Sequence, residues 1–375
     1  MDAIETSPAT RDSFLLKSIK MFRLSSIITA ALALVSSVNA ACGDGSPQGV
    51  VSGSGSSFTA TVNGANVYSG SDYRLAIQTA LDRIGTNQRV TVRASGSIGA
   101  STISITSGKT FEVCGTMNVV YRAGRGAIEA INQNDVKIPY LKMTGNPYFG
   151  MRFSGTRNLA LGEITMNLSG GLGIRFDRDA NFNYGVSMGN IVVTGAGSHA
   201  VEVWKVDGLT ITSVKARDVG ECGLLVQESR NARIGYVEGI NVATGTGYAT
   251  LRFANENGKL NNVYTTTNIF VDRVYSRGGG RGIFCVSRSG AAEIKTIDLA
   301  DNGNNAILIE NCYNMAIRDG VINGGGEVRV SARSEFPNTS GVYVKAQVNN
   351  NSVRESPCAE NIYWGITGNA RMNVC

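Results

Sequence analysis

Three arginines, a glutamate and a tryptophan stand at equivalent or neighbouring positions in a strand-like phrase that recurs along the chain. They are Arg152, Arg175, Arg252, Glu202 and Trp204. Guanidinium groups bind carboxylates through two parallel hydrogen bonds, and the flat apolar ring of a tryptophan can stack on a sugar. The alternation of inward and outward residues in a strand predicts one outward row along the stacked phrases. Its members are Glu129, Arg152, Arg175, Glu202, Leu225, Arg252, Phe284 and Leu308, and Trp204 is expected to be exposed beside them. If the phrases stack on one another, these side chains form one surface suited to an acidic sugar polymer.

Acid–base chemistry on such a polymer requires further groups. Removal of the proton next to a uronate carboxylate (β-elimination) requires that the carboxylate be neutralised and that a base of lowered pKa accept the proton. We predict Lys205 as the base, with Arg175 or Arg252 as second choices. The sequence places two acids, Glu202 and Asp177, beside them as further catalytic candidates. Substrate binding is assigned to four neighbouring side chains: Arg152, Trp204, Glu228 and His199.

Other interpretations of this cluster stay open. Paired carboxylates among Asp177, Glu202 and Glu228 would favour hydrolysis of a glycosidic bond. Calcium could bind the same acids, although elimination requires no cofactor. Arg and Glu on neighbouring strands could form cross-strand ion pairs with only a structural role. A non-catalytic glycan-binding protein or secreted effector is the last alternative.

The repeat that carries these residues predicts the fold. From residue 126 onward, each phrase begins with a small residue, continues as a Val/Ile-rich strand of period two, and ends in a polar turn. The first apolar residues of successive phrases are 128, 151, 174, 201, 224, 251, 283 and 307. A coil of a three-sided β-helix has about this length. We therefore expect an all-β chain folded as a right-handed parallel β-helix, with strands about 4.8 Å apart.

The segments outside the repeat are predicted to precede or close it. We predict a signal region at 1–40 with translation starting at Met21, an N-terminal cap and first coils at 41–125, central coils at 126–334, and a C-terminal coil and disulfide cap at 335–375. Residues 21–40 combine a positive start, an apolar core and small residues at the end, which is typical of a secretory signal.

A short helix is predicted at residues 72–84, with Ser71 as its N-cap residue. Four apolar residues lie close to one face of it: Leu75, Ile77, Leu81 and Ile84. Such a helix would close the open end of a solenoid.

Secretion permits disulfides, and the seven cysteines favour Cys358–Cys375 and Cys42–Cys114 as pairs. The odd count leaves at least one thiol unpaired, and Cys285, between apolar residues, is expected to be a small core residue. Three sequons predict exposed glycosylation sites at Asn167, Asn338 and Asn350.

The charge pattern restricts the partners. The net charge is +6 and no block of Lys or Arg resembles a nucleic-acid-binding arm. We expect an extracellular monomer whose partner is an acidic polysaccharide, with no nucleic acid and no membrane attachment after signal cleavage.

The signal, the capping helix and the coils together resemble the pectin lyase-like superfamily of secreted right-handed parallel β-helices. The resemblance implies a polysaccharide such as pectin, bound along the outside of the coils and degraded by a lyase or a glycoside hydrolase. The catalytic motifs of individual member families are not matched. The sequence has no Asp-Asp pair, and its single histidine lies in Ser-His-Ala (198–200), which disfavours polygalacturonases. Fold alone does not determine function, so the expected activity, β-elimination on a uronate polymer, rests on the cluster.

Overall fold

The computed structural model describes residues 41–375 apart from Thr246. The predicted signal region and the start at Met21 lie outside the described residues. Within the described part, no helix is long and apolar enough to cross a membrane.

The first strands of the described chain are short and surround its single helix. They are β1 (Gly49–Ser54), β2 (Ser57–Val62), β3 (Ala65–Gly70), β4 (Arg89–Val92), β5 (Gly96–Ser97), β6 (Ile103–Ser104), β7 (Thr110–Val113) and β8 (Met117–Val119), with helix α1 (Tyr73–Arg83) between β3 and β4.

The remaining strands alternate between short and long. They are β9 (Gly126–Ile131), β10 (Lys137–Gly145), β11 (Phe149–Ser154), β12 (Arg157–Leu168), β13 (Leu172–Phe176), β14 (Asn183–Thr194), β15 (Val201–Trp204), β16 (Val206–Val219), β17 (Leu224–Gln227), β18 (Arg230–Val242), β19 (Leu251–Ala254), β20 (Ile269–Arg277), β21 (Arg281–Cys285), β22 (Ser289–Ala300), β23 (Asn305–Glu310), β24 (Cys312–Ile317), β25 (Gly320–Asn323), β26 (Val328–Ser331), β27 (Ser340–Asn349), β28 (Ser352–Ser356), β29 (Glu360–Gly368) and β30 (Arg371–Asn373).

These strands form two sheets that run the length of a parallel β-helix. The short-strand sheet has twelve strands in the order β6, β9, β11, β13, β15, β17, β19, β21, β23, β26, β28 and β30. The other eighteen strands form the long-strand sheet. Strand pairing is antiparallel among β1, β2 and β3 and parallel among the other strands. The all-β solenoid predicted from the repeat is therefore confirmed, with twelve coils where the sequence indicated at least eight.

The phase of the repeat is also confirmed. The first apolar residue of each predicted phrase pairs with its counterpart in the next coil, and each of these side chains is fully buried. The column consists of Ile128, Met151, Ile174, Val201, Leu224, Leu251, Ile283 and Ile307. Burying an aliphatic side chain of this size stabilises the fold by about 1.5–3 kcal/mol, so this column holds the coils in one register.

Helix α1 begins one residue later than predicted. Asp72, not Ser71, is the N-cap residue, because its carboxylate accepts a hydrogen bond from the backbone N–H of Leu75 at 2.8 Å. Leu75, predicted on the apolar face, is exposed, and the buried face consists of Tyr73, Ala76, Ile77, Ala80 and Leu81. The helix packs against β1–β6. Since β6 is the terminal strand of the short-strand sheet, α1 covers that end of the solenoid.

The C-terminal segment continues the solenoid. Residues 335–375 contribute β27 to β30, which continue both sheets in parallel register. The segment therefore forms the last coils of the solenoid, and the Cys358–Cys375 disulfide lies at their end.

The disulfide pattern contains one pair that the sequence did not indicate. Cys42–Cys114 and Cys358–Cys375 are both bonded. Cys285 is buried in the core, as expected, and is bonded to Cys312, a pair that the sequence did not indicate. The two cysteines belong to adjacent coils, which explains why their separation of 27 residues equals about one coil. Cys222 is left as a free, buried thiol.

The three sequons lie in different environments. The side chains of Asn167 and Asn350 are exposed, whereas Asn338 is half-buried. The amide nitrogen of Asn338 donates a hydrogen bond to the carbonyl oxygen of Cys358 at 2.7 Å. Glycosylation stays a prediction, and the accessible side chains make Asn167 and Asn350 its favoured positions.

Candidate functional site

The outward row that the sequence predicted is present in the register of the short-strand sheet. Its members alternate with the buried column and pair across successive coils, and its apolar members lie outside the main core. In order they are Glu129, Arg152, Arg175, Glu202, Leu225, Arg252, Phe284 and Leu308. The coils therefore place the charged residues of the repeat on one face.

Most of these charges already have partners. Arg152 donates to Asp177, with Nη2 2.8 Å from Oδ2, and also lies 3.5 Å from Glu129. Arg175 forms an ion pair with Glu202. The structural alternative of cross-strand ion pairs thus holds for Arg152 and Arg175, which are already paired with acids of the chain.

Two residues of the predicted cluster are buried rather than exposed. The side chain of Glu202 accepts hydrogen bonds from Trp204 Nε1 at 2.7 Å and from Gln227 Nε2 at 3.2 Å, in addition to Arg175. Trp204 is only 8% exposed, and the guanidinium of Arg178 lies 5.9 Å from its ring. The prediction that the indole of Trp204 is exposed is therefore wrong. The carboxylate of Glu202 accepts from three donors of the chain.

Lys205 lies apart from the arginines. Its Nζ is 3.8 Å from Glu228 Oε2, at the turn that follows the short strands. Burial raises the pKa of Glu228, and Lys205 opposes that shift. Glu228 lines a separate cleft together with Glu256 and Lys259. The predicted base thus lies just beyond the C-terminal end of a short strand, whereas the predicted guanidiniums lie within the short strands.

A groove of about 500 Å³ opens at the N-terminal ends of the short strands. We call it the His199 groove, and its polar lining consists of Arg175, Ser198, His199, Glu202, Glu221 and Tyr248. Tyr121, Tyr148 and Phe149 form an aromatic wall. Tyr148 makes edge-on contacts with the other two rings, at centroid distances of 5.3 and 4.5 Å.

Glu221 is the centre of the polar side of this groove. Its carboxylate accepts hydrogen bonds from the hydroxyl of Ser198 and from Tyr248, and lies 3.1 Å from Nε2 of His199. The carboxylate is partly exposed to the groove. Three donors from two coil segments, Ser198 and His199 from one and Tyr248 from the other, therefore fix the orientation of one accessible carboxylate.

His199 is held as a hydrogen-bond donor. The backbone N–H of Cys222 donates to Nδ1 at 3.0 Å, so the ring proton is on Nε2, which faces Glu221. Burial lowers the pKa of His199, although Glu202 and Glu221 oppose that shift. The neutral imidazole thus presents a proton, and not a free lone pair, to Glu221.

The pKa of Tyr248 is shifted in the opposite direction from that of His199. Its hydrogen bond to Glu221, together with burial, raises the pKa of the phenol. The ring makes an edge-on contact with His199, at a centroid distance of 5.5 Å, and the guanidinium of Arg252 lies 5.8 Å from its centroid. Tyr248 therefore stays protonated at neutral pH beside an arginine.

Arg252 differs from the other arginines of the row because its cross-strand neighbours, Leu225 and Phe284, are apolar. Among the described residues, it has no carboxylate within 4.0 Å, and its Nε is buried without a hydrogen-bond partner. It is thus a guanidinium available to a carboxylate from outside the chain.

Sequence reasoning missed Tyr248 and did not assign Glu221 to the site. Both lie three residues before the buried apolar residue of their coil. The same position in successive coils is occupied by Tyr148, Gly171, Ser198, Glu221 and Tyr248, which all line the groove. Alignment of the phrases at this position would have revealed these groove-lining residues.

Metal binding is not localised to the groove. In residues 41–375 without Thr246, one group of three potential ligands occurs, Glu355 with Cys358 and Cys375, and these two sulfurs are bonded to each other. Calcium at the acids of the predicted cluster stays a prediction.

Comparisons with known proteins do not identify a family for this chain. No protein-family model and no curated protein matches the chain. Among solved structures, the A-module of the mannuronan C-5 epimerase AlgE6 from Azotobacter vinelandii is similar, with 12% identity and a TM-score of 0.48, over 81% of this chain and 92% of that one. A likeness of this size is no evidence of a shared activity.

Proposed function

We propose that the protein is an extracellular enzyme of the pectin lyase-like superfamily that cleaves a uronate-containing polysaccharide by β-elimination in the His199 groove. The observation that carries the proposal is the position of Arg252 over the ring of Tyr248, which is hydrogen-bonded to Glu221. Among the described residues this guanidinium has no carboxylate partner. The three disulfides support an oxidising, extracellular environment.

Arg252 neutralises the carboxylate of the reacting sugar. A uronate carboxylate opposes removal of the proton on the adjacent carbon, and a guanidinium bound to it in bidentate fashion removes that opposition. Arg252 takes this role because Arg152 and Arg175 are already paired with acids of the chain.

Glu221 is the base and Tyr248 the acid. The Glu221 carboxylate takes the proton from the carbon next to the uronate carboxylate, a carbon–carbon double bond forms, and the bond to the glycosidic oxygen breaks. That oxygen takes the phenolic proton of Tyr248. The proton on Glu221 then passes along their hydrogen bond to the phenolate, which restores both groups. The raised pKa of Tyr248 supports the acid role, since it keeps the phenol protonated until the leaving group needs the proton.

His199 and Ser198 are positioning residues for Glu221. Their donors hold the carboxylate toward the groove, and the Cys222 backbone holds the imidazole. The wall of Tyr121, Tyr148 and Phe149 replaces Trp204 as the surface on which a sugar stacks.

Hydrolysis by paired carboxylates is the second candidate, since Glu202 and Glu221 both line the groove. Three hydrogen-bond donors already occupy Glu202. Glu202 is also buried and ion-paired with Arg175, which makes it a weak general acid and a weak nucleophile. Glu221 likewise accepts three hydrogen bonds, but its carboxylate stays partly exposed to the groove and has no arginine partner among the described residues, so elimination with Glu221 as the base is favoured.

The test is product analysis on pectate, rhamnogalacturonan, alginate and glucuronan. Ultraviolet absorbance of unsaturated uronate and reducing ends are followed together. Elimination raises both signals in equal amounts. Reducing ends without absorbance would establish a hydrolase instead, and no change in either signal on these polymers would overturn the proposal.

A further inference from the structure

Two arginines lie against one phenylalanine on the C-terminal side of the His199 groove. The guanidiniums of Arg252 and Arg281 are 5.0 and 4.9 Å from the ring centroid of Phe284. Arg252 is on β19 and Arg281 on β21, the next coil. Two like charges thus share one aromatic ring across adjacent coils.

Neither guanidinium is neutralised by the chain. Within the described residues, no carboxylate oxygen lies within 4.0 Å of Arg252 or Arg281. Nε of Arg252 and Nη1 of Arg281 are buried and have no hydrogen-bond partner, whereas Nε of Arg281 donates to Asn305 at 3.1 Å. Buried polar groups in proteins are normally satisfied, so unpaired donors on two neighbouring cations indicate a missing acceptor.

The surroundings strengthen an interaction with an anion. Phe284, Leu225 and Leu308 belong to a second apolar cluster, separate from the coil interior. Charges attract more strongly over such a surface than in water. Burial, followed by the like charge of Arg252, lowers the pKa of Arg281, and the charge of Glu310 only partly offsets this shift. A bound anion would relieve both effects.

We propose that Arg281 binds the carboxylate of the uronate next to the one held by Arg252, so that the site takes polymers with consecutive uronate residues. This inference rests on the proposed function. Coils repeat about every 4.8 Å, close to the length of a pyranose residue in a chain. A polymer lying along the solenoid axis therefore meets Tyr121 and Tyr148 at one end, Glu221 and Tyr248 in the middle, and Arg281 one coil further.

The experiment measures binding and turnover separately. Binding of homo-oligouronates is followed by calorimetry in the Tyr248→Phe background, with three comparison ligands: a methyl-esterified oligomer, an oligomer in which neutral sugars alternate with uronates, and dextran sulfate. Arg281→Gln, which keeps a donor for Asn305, is expected to weaken homo-oligouronate binding about tenfold. It should leave binding of the alternating oligomer unchanged, and Arg281→Lys should restore part of the loss.

Arg93→Gln is the matched control, because it removes the same charge from an exposed position on the N-terminal coils. Equal losses in Arg93→Gln and Arg281→Gln would mean that net charge alone acts, and equal affinity for dextran sulfate would mean that the site does not select carboxylates. Either result overturns the inference. In the otherwise unmodified enzyme, Arg281→Gln should raise KM and leave kcat unchanged. If Arg281-dependent binding is found without turnover, the proposed function fails and the subsite stands. If turnover is found and binding does not depend on Arg281, the subsite fails and the proposed function stands.

Discussion

Nε2 of His199 lies 3.1 Å from Oε2 of Glu221, and the ring is held in that orientation from its other side by the backbone of Cys222. The imidazole is buried and neutral, and it faces two carboxylates, Glu221 and Glu202, and two guanidiniums, Arg175 and Arg252. We propose that the ring orients Glu221. Because the ring is buried in its neutral form, the stability of the fold depends on the protonation of this single imidazole.

The lowered pKa of His199 predicts a pH dependence of stability. The unfolded chain protonates this imidazole below about pH 6.5, whereas the folded protein does so only at lower pH. The free energy of unfolding should therefore decrease as pH falls below about 6.5, by up to about 1.4 kcal/mol per pH unit from this group. Urea unfolding at several pH values measures it, with His199→Asn as the control because asparagine can still accept from the Cys222 N–H. Parallel curves for the two proteins would contradict the assignment.

Lys205 should be dispensable for catalysis. It pairs with Glu228 at the C-terminal ends of the short strands, and it does not line the His199 groove. We expect Lys205→Met to keep kcat and KM on the active polymer within experimental error of the wild type. A drop in kcat of about a hundredfold or more, the size typical of a lost acid–base group, would restore Lys205 as the base.

The free thiol of Cys222 should be unreactive in the folded protein. Burial raises its pKa to about 12, so the thiolate is scarce at pH 8. Titration with a thiol reagent at pH 8 should give no reaction in native buffer and one thiol per chain in guanidinium, because the other six cysteines form disulfides. Three thiols in the denatured protein would show that one of these bonds does not form.

Chelation should not affect the reaction. In the proposed mechanism Arg252, and not a metal ion, supplies the positive charge that neutralises the uronate carboxylate. The rate on the active polymer should be the same with and without EDTA. A loss that added calcium restores would assign part of the neutralisation to calcium and reduce the role of Arg252.

The fold was predictable because the inward apolar residues keep a regular period. The fully buried column from Ile128 to Ile307 carries the same phase that the sequence shows, and a shift of one residue would turn it to solvent. The outward row follows from the same alternation, and the structure has it in the predicted order.

The site was less predictable for two physical reasons. Tyr248 and Glu221 lie in the turns before the strands, where alternation no longer tells which side chains face the same cleft. Trp204 is buried, its indole nitrogen donates to Glu202, and the guanidinium of Arg178 lies 5.9 Å from its ring. Packing of long polar side chains of this kind cannot be read from spacing alone.

The acid–base pair is tested most directly by kcat on the active polymer for Glu221→Gln and Tyr248→Phe, with Tyr363→Phe, an exposed tyrosine of β29, as the control. We expect a fall in kcat of about 10²- to 10⁴-fold for each of the first two variants, with KM little changed, and no effect for the control. Retention of the wild-type kcat in Tyr248→Phe or Glu221→Gln would contradict the assignment of the site.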